Sequence, residues 1–286
     1  MHDTFNLAWK LNLVIRGLAK PSLLSTYQEE RQKIARDLIT FDMEHCKAFS
    51  QGDDALARNF DENIRFIAGI GAEYSANILN RVEEENSAHQ GLLRPGALLV
   101  PAQVTRYIDA NPVDVQFDVP LLSQFRIYVI IPSISIAEPF LSSFCAHLDA
   151  PDCSLHRLSS MADESYEIVP RALTRSDEFR SPQRYTAASQ LFTFALISAT
   201  PKTDFEIHDL PPLLRQSRWT VYLDDRGSPR CTEKWLGPLA DNEVALVNVR
   251  PDGYVGSIGR WDGVHDPAMG ERAAQWVEAY YGSVFM

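Results

Sequence analysis

Residues 1–35 read MHDTFNLAWKLNLVIRGLAKPSLLSTYQEERQKIA, and the rest of the chain is best read outward from them. Phe5, Leu7, Ala8, Trp9, Leu11, Leu13, Val14 and Ile15 make residues 2–18 apolar nearly all round, which predicts a buried helix. Gly17 and Pro21 mark its end. A second helix is predicted over 22–49. Its apolar stripe, Leu24, Tyr27, Ile34, Leu38 and Phe41, recurs at three- and four-residue steps and is expected to be buried against the first or third helix. The third helix is predicted over 54–82 through Leu56, Phe60, Ile64, Ile67 and Ile78, with Gly69 and Gly71 weakening its middle. Glu83, Glu84, Glu85 and Asn86 form a polar exit.

From about Gly91 the character changes, and prolines at 95, 101, 112, 120 and 132 punctuate extended segments. Phe125–Ile131 and Leu191–Ile197 are runs of β-branched, aromatic and aliphatic residues, as buried strands require. Further strands are expected at 219–223 and 244–249, and helices at 137–148 and 268–281. That order implies a small α/β layer with a mixed sheet. Residues 150–188 are polar and read as a long insertion.

The 286 residues carry a net charge of -11. Such a balance disfavours nucleic acid and anionic membrane as partners. No run of about 18 apolar residues could span a bilayer, and the N-terminus lacks the form of a signal peptide. Cys46, Cys145, Cys153 and Cys231 form no C-x-x-C and no dense disulfide pattern, so a cytosolic setting is expected.

Two stretches carry a family resemblance. Asp3, Asn6, Leu7, Trp9, Lys10 and Leu11, then Leu23, Leu24, Tyr27, Glu30 and Arg31, are similar to the segment that closes the FAD domain of class A flavoprotein hydroxylases. Val247–Gly256, reading VNVRPDGYVG, resembles the end of phenol hydroxylase-type enzymes. Arg94-Pro95-Gly96, Phe125-Arg126-Ile127 and Glu206–Pro211 agree more loosely with that family's C-terminal domain. The resemblance implies an α+β protein. Residues 1–90 are a helical segment like the end of a FAD domain, and 91–286 are a thioredoxin-like domain. It also implies dimer contacts through the C-terminal part.

The family's glycine fingerprint G-x-G-x-x-G, which lets backbone N–H groups approach the FAD pyrophosphate, does not occur in these residues. The expectation is therefore a chain without the family's flavin-binding front end. It would hold no cofactor in isolation and would bind FAD only if that domain were supplied. Asp3 and Asn6 match the family's flavin-proximal helix. Trp9 and the apolar face of the second helix would normally pack on the flavin domain, so the third helix folding back, a second copy or a partner protein is expected to cover them.

Thiol redox chemistry, the obvious alternative for a thioredoxin-like fold, needs C-x-x-C at a helix N-terminus. The corresponding stretch reads Pro132-Ser133-Ile134-Ser135-Ile136. Cys145, His147, Cys153 and His156 have zinc-binding types, but C-x-H-x5-C-x2-H fits no finger spacing, and no metal is expected. His208-Asp209 and His265-Asp266 do not form relays by adjacency, since neighbours in a strand point to opposite faces. Pro251-Asp252-Gly253 reads first as a turn, with Asp252 bonding nearby backbone.

Three functions follow. One is an oligomerisation or partner module related to aromatic hydroxylases. A second is a cofactor-free cyclase, isomerase or dehydratase acting on a phenolic or polyketide-type molecule. Its acid or base would come from Asp3, His45, Glu73, Tyr74 and His208. A third is a piece of a full FAD- and NADPH-dependent hydroxylase.

Overall fold

The computed structural model describes residues 2–82, 90–121, 123–165 and 183–285. Helix α1 (His2–Ile15) leads through a 3-10 turn, Pro21–Leu24, into α2 (Ser25–Gln51) and α3 (Asp53–Ile67). Then come β1 (Gln103–Arg106), β2 (Pro112–Asp114), the short α4 (Val115–Asp118) and β3 (Phe125–Ile131). Helices α5 (Ile134–Asp149), α6 (Ser154–Glu164) and α7 (Gln183–Thr186) precede β4 (Phe192–Ser198). The chain closes with α8 (Pro212–Gln216), β5 (Val221–Leu223), α9 (Cys231–Leu236), β6 (Glu243–Val249), β7 (Val255–Asp262) and α10 (Pro267–Gly282).

The described strands make one sheet, ordered β2-β1-β5-β4-β3-β6-β7. Strands β3 and β4 are parallel and joined through helix α5; β6 runs antiparallel to β3, β7 antiparallel to β6, and α10 follows. This is the thioredoxin-like arrangement the resemblance implied, with β5, β1 and β2 added beyond β4. Every residue of β3 and β4 is buried, because helices and loops cover both faces. Phe125, Ile127 and Val129 point to the face covered by α1, α5 and α10; Tyr128 and Ile130 point to the face covered by Trp235 and Leu236 of α9.

Several expectations need correction. Helix α3 stops at Ile67 rather than 82, because Gly69 takes a left-handed φ of 76° and the apolar residues beyond it sit in loop. The 150–188 stretch is not all insertion: Leu155, Leu158 and Ala162 bury one face of α6. Residues 166–182 and the polar exit at 83–86 lie outside the described residues. Strands β1, β2 and β7 were not anticipated. The first two are short and partly exposed, and Gly256 and Gly259 break the pattern of the third. Gly256 is required there: a Cβ would lie 1.9 Å from the Tyr280 hydroxyl.

The stripe on α2 is buried only in part. Ile34 is buried, Leu24, Tyr27 and Phe41 are half-buried, and Leu38 is exposed. Phe41 does meet Phe66 of α3, with ring centroids 5.7 Å apart. Trp9, expected to face an absent domain, is instead buried edge-on against Phe125 of β3, at 5.5 Å. The apolar residues that α1 exposes are Phe5, Leu11 and Ile15.

Candidate functional site

The two stretches that carry the resemblance meet in space. Helix α1 contributes Asn6, Trp9 and Lys10, and α2 contributes Glu30. The loop after α3 adds Tyr74, Asn77 and Asn80, and the β6–β7 turn adds Arg250 and Asp252. A charged cluster of this kind tolerates burial only when every charge is paired and hydrogen-bonded.

Arg250 meets that condition in full. Its Nε donates to Asp252 Oδ1 (3.0 Å) and its Nη2 to Asp252 Oδ2 (2.7 Å). Nη2 also donates to Glu30 Oε2 (3.0 Å), while Nη1 donates to Glu30 Oε1 (2.5 Å) and Asn80 Oδ1 (2.8 Å). One guanidinium thus grips two carboxylates in bidentate fashion, the strongest geometry open to it. The Trp9, Tyr74 and Tyr254 rings lie around it, 5.2–5.7 Å from its carbon. Lys10 Nζ donates to Glu30 Oε2 (2.8 Å) and Asn6 Oδ1 (2.7 Å). Asn6 Nδ2 donates to Glu30 Oε2 (2.8 Å), and Trp9 Nε1 to Asp252 Oδ2 (3.2 Å). Two cations face two anions, so the cluster is neutral.

The titrations follow from this packing. Burial alone pushes the Glu30 carboxyl up, but the charges and hydrogen bonds of Arg250 and Lys10 outweigh it and hold the pKa at about 2. Burial dominates at Lys10 and brings it down to about 8, against the pull of Glu30. Burial also pulls Arg250 down, yet Asp252 and Glu30 more than reverse it, so the guanidinium stays charged.

The turn itself differs from expectation. Gly253 N–H bonds Arg250 C=O (2.9 Å), as a turn requires, with Gly253 at a φ of 83°. Asp252 does not serve nearby backbone, however; its carboxylate takes Arg250 and Trp9. Arg250 reaches Glu30 across 220 residues of sequence. Neither motif alone signals that pairing. The available hint was Asn6 and Lys10, polar residues one turn apart in a largely apolar helix.

The candidate acids and bases are dispersed. Asp3 is exposed and pairs with Arg31, which also donates to the Tyr74 hydroxyl (3.3 Å). Tyr74 is buried, stacked on Tyr254 with centroids 4.3 Å apart. Glu73 is exposed. His45 sits between α2 and α3, 2.8 Å from Asn59 Oδ1 and edge-on to Phe60. His208 lies in a 3-10 turn, not a strand, so its Nε2 does reach Asp209 Oδ1 (3.3 Å), but in an exposed position. Asp266 caps α10 by accepting from Ala268 N–H (2.9 Å). No shared reaction centre joins these residues. Ser133 caps α5 where a redox fold would carry its thiols. Among the described residues no helix is long and apolar enough to cross a membrane.

Residues 72–284 match the family model "Phenol hydroxylase, C-terminal dimerisation domain", and residues 1–42 match a FAD binding domain model. The 3-hydroxybenzoate 4-monooxygenase of Comamonas testosteroni is 30% identical over 90% of this chain and 40% of that protein. The phenol 2-monooxygenase fsqG of Aspergillus fumigatus is 26% identical over 93% of this chain and 42% of that protein. Among solved structures, aklavinone-11 hydroxylase in complex with FAD and aklavinone aligns with 98% of this chain and 38% of that one, at 15% identity and a TM-score of 0.47. The chain spans about two fifths of the length of the curated relatives it matches. On the match over residues 72–284, the chain belongs to the phenol hydroxylase family through its C-terminal dimerisation domain.

Proposed function

We propose that this polypeptide is the self-association and docking end of a phenol hydroxylase-type flavoprotein. It forms a homodimer and works with a FAD-bearing portion without holding flavin by itself. The buried clasp carries this reading. It fixes helix α1 and the first part of α2, which match a FAD binding domain model over residues 1–42, onto the dimerisation domain. The other side of α1, with Phe5, Leu11 and Ile15 exposed, is then the natural seat for a FAD-bearing portion. The loop after α3 supplies Tyr74 and Asn80 to the clasp, so the helical segment and the sheet domain act as one body.

The residues present do not fit FAD on their own. The cofactor needs a glycine turn on its pyrophosphate and dipoles at its ring. The 286 residues hold no G-x-G-x-x-G. Asn6, matched to the flavin-proximal helix, spends its amide inside the clasp on Glu30 and Lys10. No step of flavin chemistry is therefore assigned to this chain.

The test is the visible spectrum of the purified chain after incubation with excess FAD and removal of free cofactor, with light scattering on the same sample. The expected result is no retained flavin band and the mass of a dimer. A retained band would overturn the docking reading and make NADPH-dependent hydroxylation of a phenol the next assay. A monomer at all concentrations would overturn self-association.

A further inference from the structure

The ends of α5 and α6 and the side of α10 bring together three side chains that the sequence keeps far apart. His147 lies in the last turn of α5, Cys153 at the N-cap of α6, and Glu278 within α10. Their ligand-type atoms, an imidazole nitrogen, the thiol sulfur and a carboxylate oxygen, all lie within 4.8 Å of one another. The scaffold beneath them is rigid. Gly270 lets α10 approach α5 so closely that a Cβ there would stand 2.4 Å from the Phe140 carbonyl oxygen.

We propose that His147, Cys153 and Glu278 form a binding site for one zinc-type divalent cation, with water completing a tetrahedral set. The donor chemistry is the first argument. Imidazole, thiolate and carboxylate are the ligands zinc takes in proteins, at about 2.0–2.3 Å. The orientation of the carboxylate is the second. Glu278 Oε1 accepts from Ser154 N–H (2.7 Å) and Ser154 Oγ–H (2.9 Å), which fixes the group and leaves Oε2 toward the cluster. Such outer hydrogen bonds are what hold metal ligands in place.

The third argument is the cysteine. An N-cap favours Ser, Thr, Asp or Asn, yet Cys153 stands there, with the N–H groups of Leu155 and His156 facing its sulfur. Its thiol forms no disulfide and already hydrogen-bonds the Glu278 carboxylate beside His147. Access is the fourth: the His147 and Glu278 side chains are 24% and 23% exposed, which opens the cluster to solvent. His147 Nε2 and Glu278 Oε2 lie 2.7 Å apart. Nitrogen and oxygen ligands of a tetrahedral zinc are about 3.3 Å apart, so these two partly exposed side chains must separate by roughly 0.6 Å on binding. Cys145 and His156, which share the sequence cluster, do not join. Cys145 is buried in the core, and His156 turns toward Asp149 at 3.9 Å.

Cobalt titration of the full chain reads this site directly, because thiolate-bound tetrahedral cobalt gives a near-ultraviolet charge-transfer band and strong visible bands. The expected result is one equivalent of cobalt, displaced by zinc. Cys153→Ser should lose the charge-transfer band, and His147→Gln should weaken binding at least about tenfold. Cys46→Ser, at an exposed thiol outside the cluster, should change nothing. Circular dichroism of each metal-free variant confirms folding; if Cys153→Ser fails to fold, His147→Gln at a partly exposed ring decides the matter. A spectrum without thiolate ligation, or one that survives Cys153→Ser, would overturn the site. It would leave Glu278 as a clamp on the N-terminus of α6.

Discussion

Helix α2 has two ends that obey opposite rules. Near its start it buries polar groups: Thr26 and Glu30 are almost wholly enclosed. Toward its finish it exposes apolar ones: Met43 and Phe49 are 70% and 72% exposed. The near end can bury charge because its partners are complete, with Arg250, Lys10 and three amides around one carboxylate. Toward the far end Phe41 and His45 pack on Phe66 and Phe60 of α3, while Ile39 and Met43 stay exposed. Hydropathy alone misreads both ends. What is buried depends on which neighbour supplies the complement, not on the residue's own preference.

The sharpest way to break this contrast is at Glu30. Glu30→Gln leaves Arg250 and Lys10 enclosed with one counter-charge between them, and should cost about 3–5 kcal/mol in urea unfolding. The acid side of the stability curve should change as well. Glu30 titrates at about 2 folded against 4.5 unfolded. Its contribution is therefore fully present above pH 4.5 and is lost as pH falls from there toward 2. In Glu30→Gln that part of the acid loss should be missing; an unchanged acid limb would mean that Glu30 is not held charged in the interior.

Lys10 should matter less, since Glu30 keeps Arg250 without it. Lys10→Met should cost about 2 kcal/mol, since it removes the hydrogen bonds to Asn6 and Glu30 and leaves one cation facing two anions. Lys10 is held at about 8 folded against 10.5 unfolded. Native chain binds fewer protons between those values, so its stability should rise with pH from 8 to 10.5, and Lys10→Met should lose that rise. The smallest effect belongs to the far end. Met43→Glu or Phe49→Glu should change unfolding free energy by no more than about 0.5 kcal/mol. A loss as large as that at Glu30 would erase the contrast between the two ends.

Much of the scaffold was legible in the sequence. Strands β3 and β4 announce themselves because both of their faces are buried, which demands an unbroken apolar run. Helices α1, α2, α5 and α10 show in their apolar content and spacing. Strand β7 hides because Gly256, Ser257 and Gly259 serve close packing against Tyr280 and Trp261 instead of apolar burial. Helix α3 was overextended because Ile70 and Ile78 continue an apolar rhythm that Gly69 has already ended. The clasp was half legible: each of its motifs stood out, but local patterns cannot say that Arg250 answers Glu30. The cluster at His147 was obscured in the same way, since its carboxylate comes from α10.

The Glu30–Arg250 contact also has a consequence for the order of assembly. During synthesis, Asn6, Lys10 and Glu30 leave the ribosome long before the residues that neutralise them, because 220 positions separate Glu30 from Arg250. Until the β6–β7 turn emerges, helices α1 and α2 cannot close on a charged interior without partners. Contacts of such long range slow folding, since the loop must close before its reward arrives. The native arrangement of the first helices is therefore reached only once the β6–β7 turn has been made, and a nascent chain halted before Arg250 should leave them open to proteolysis.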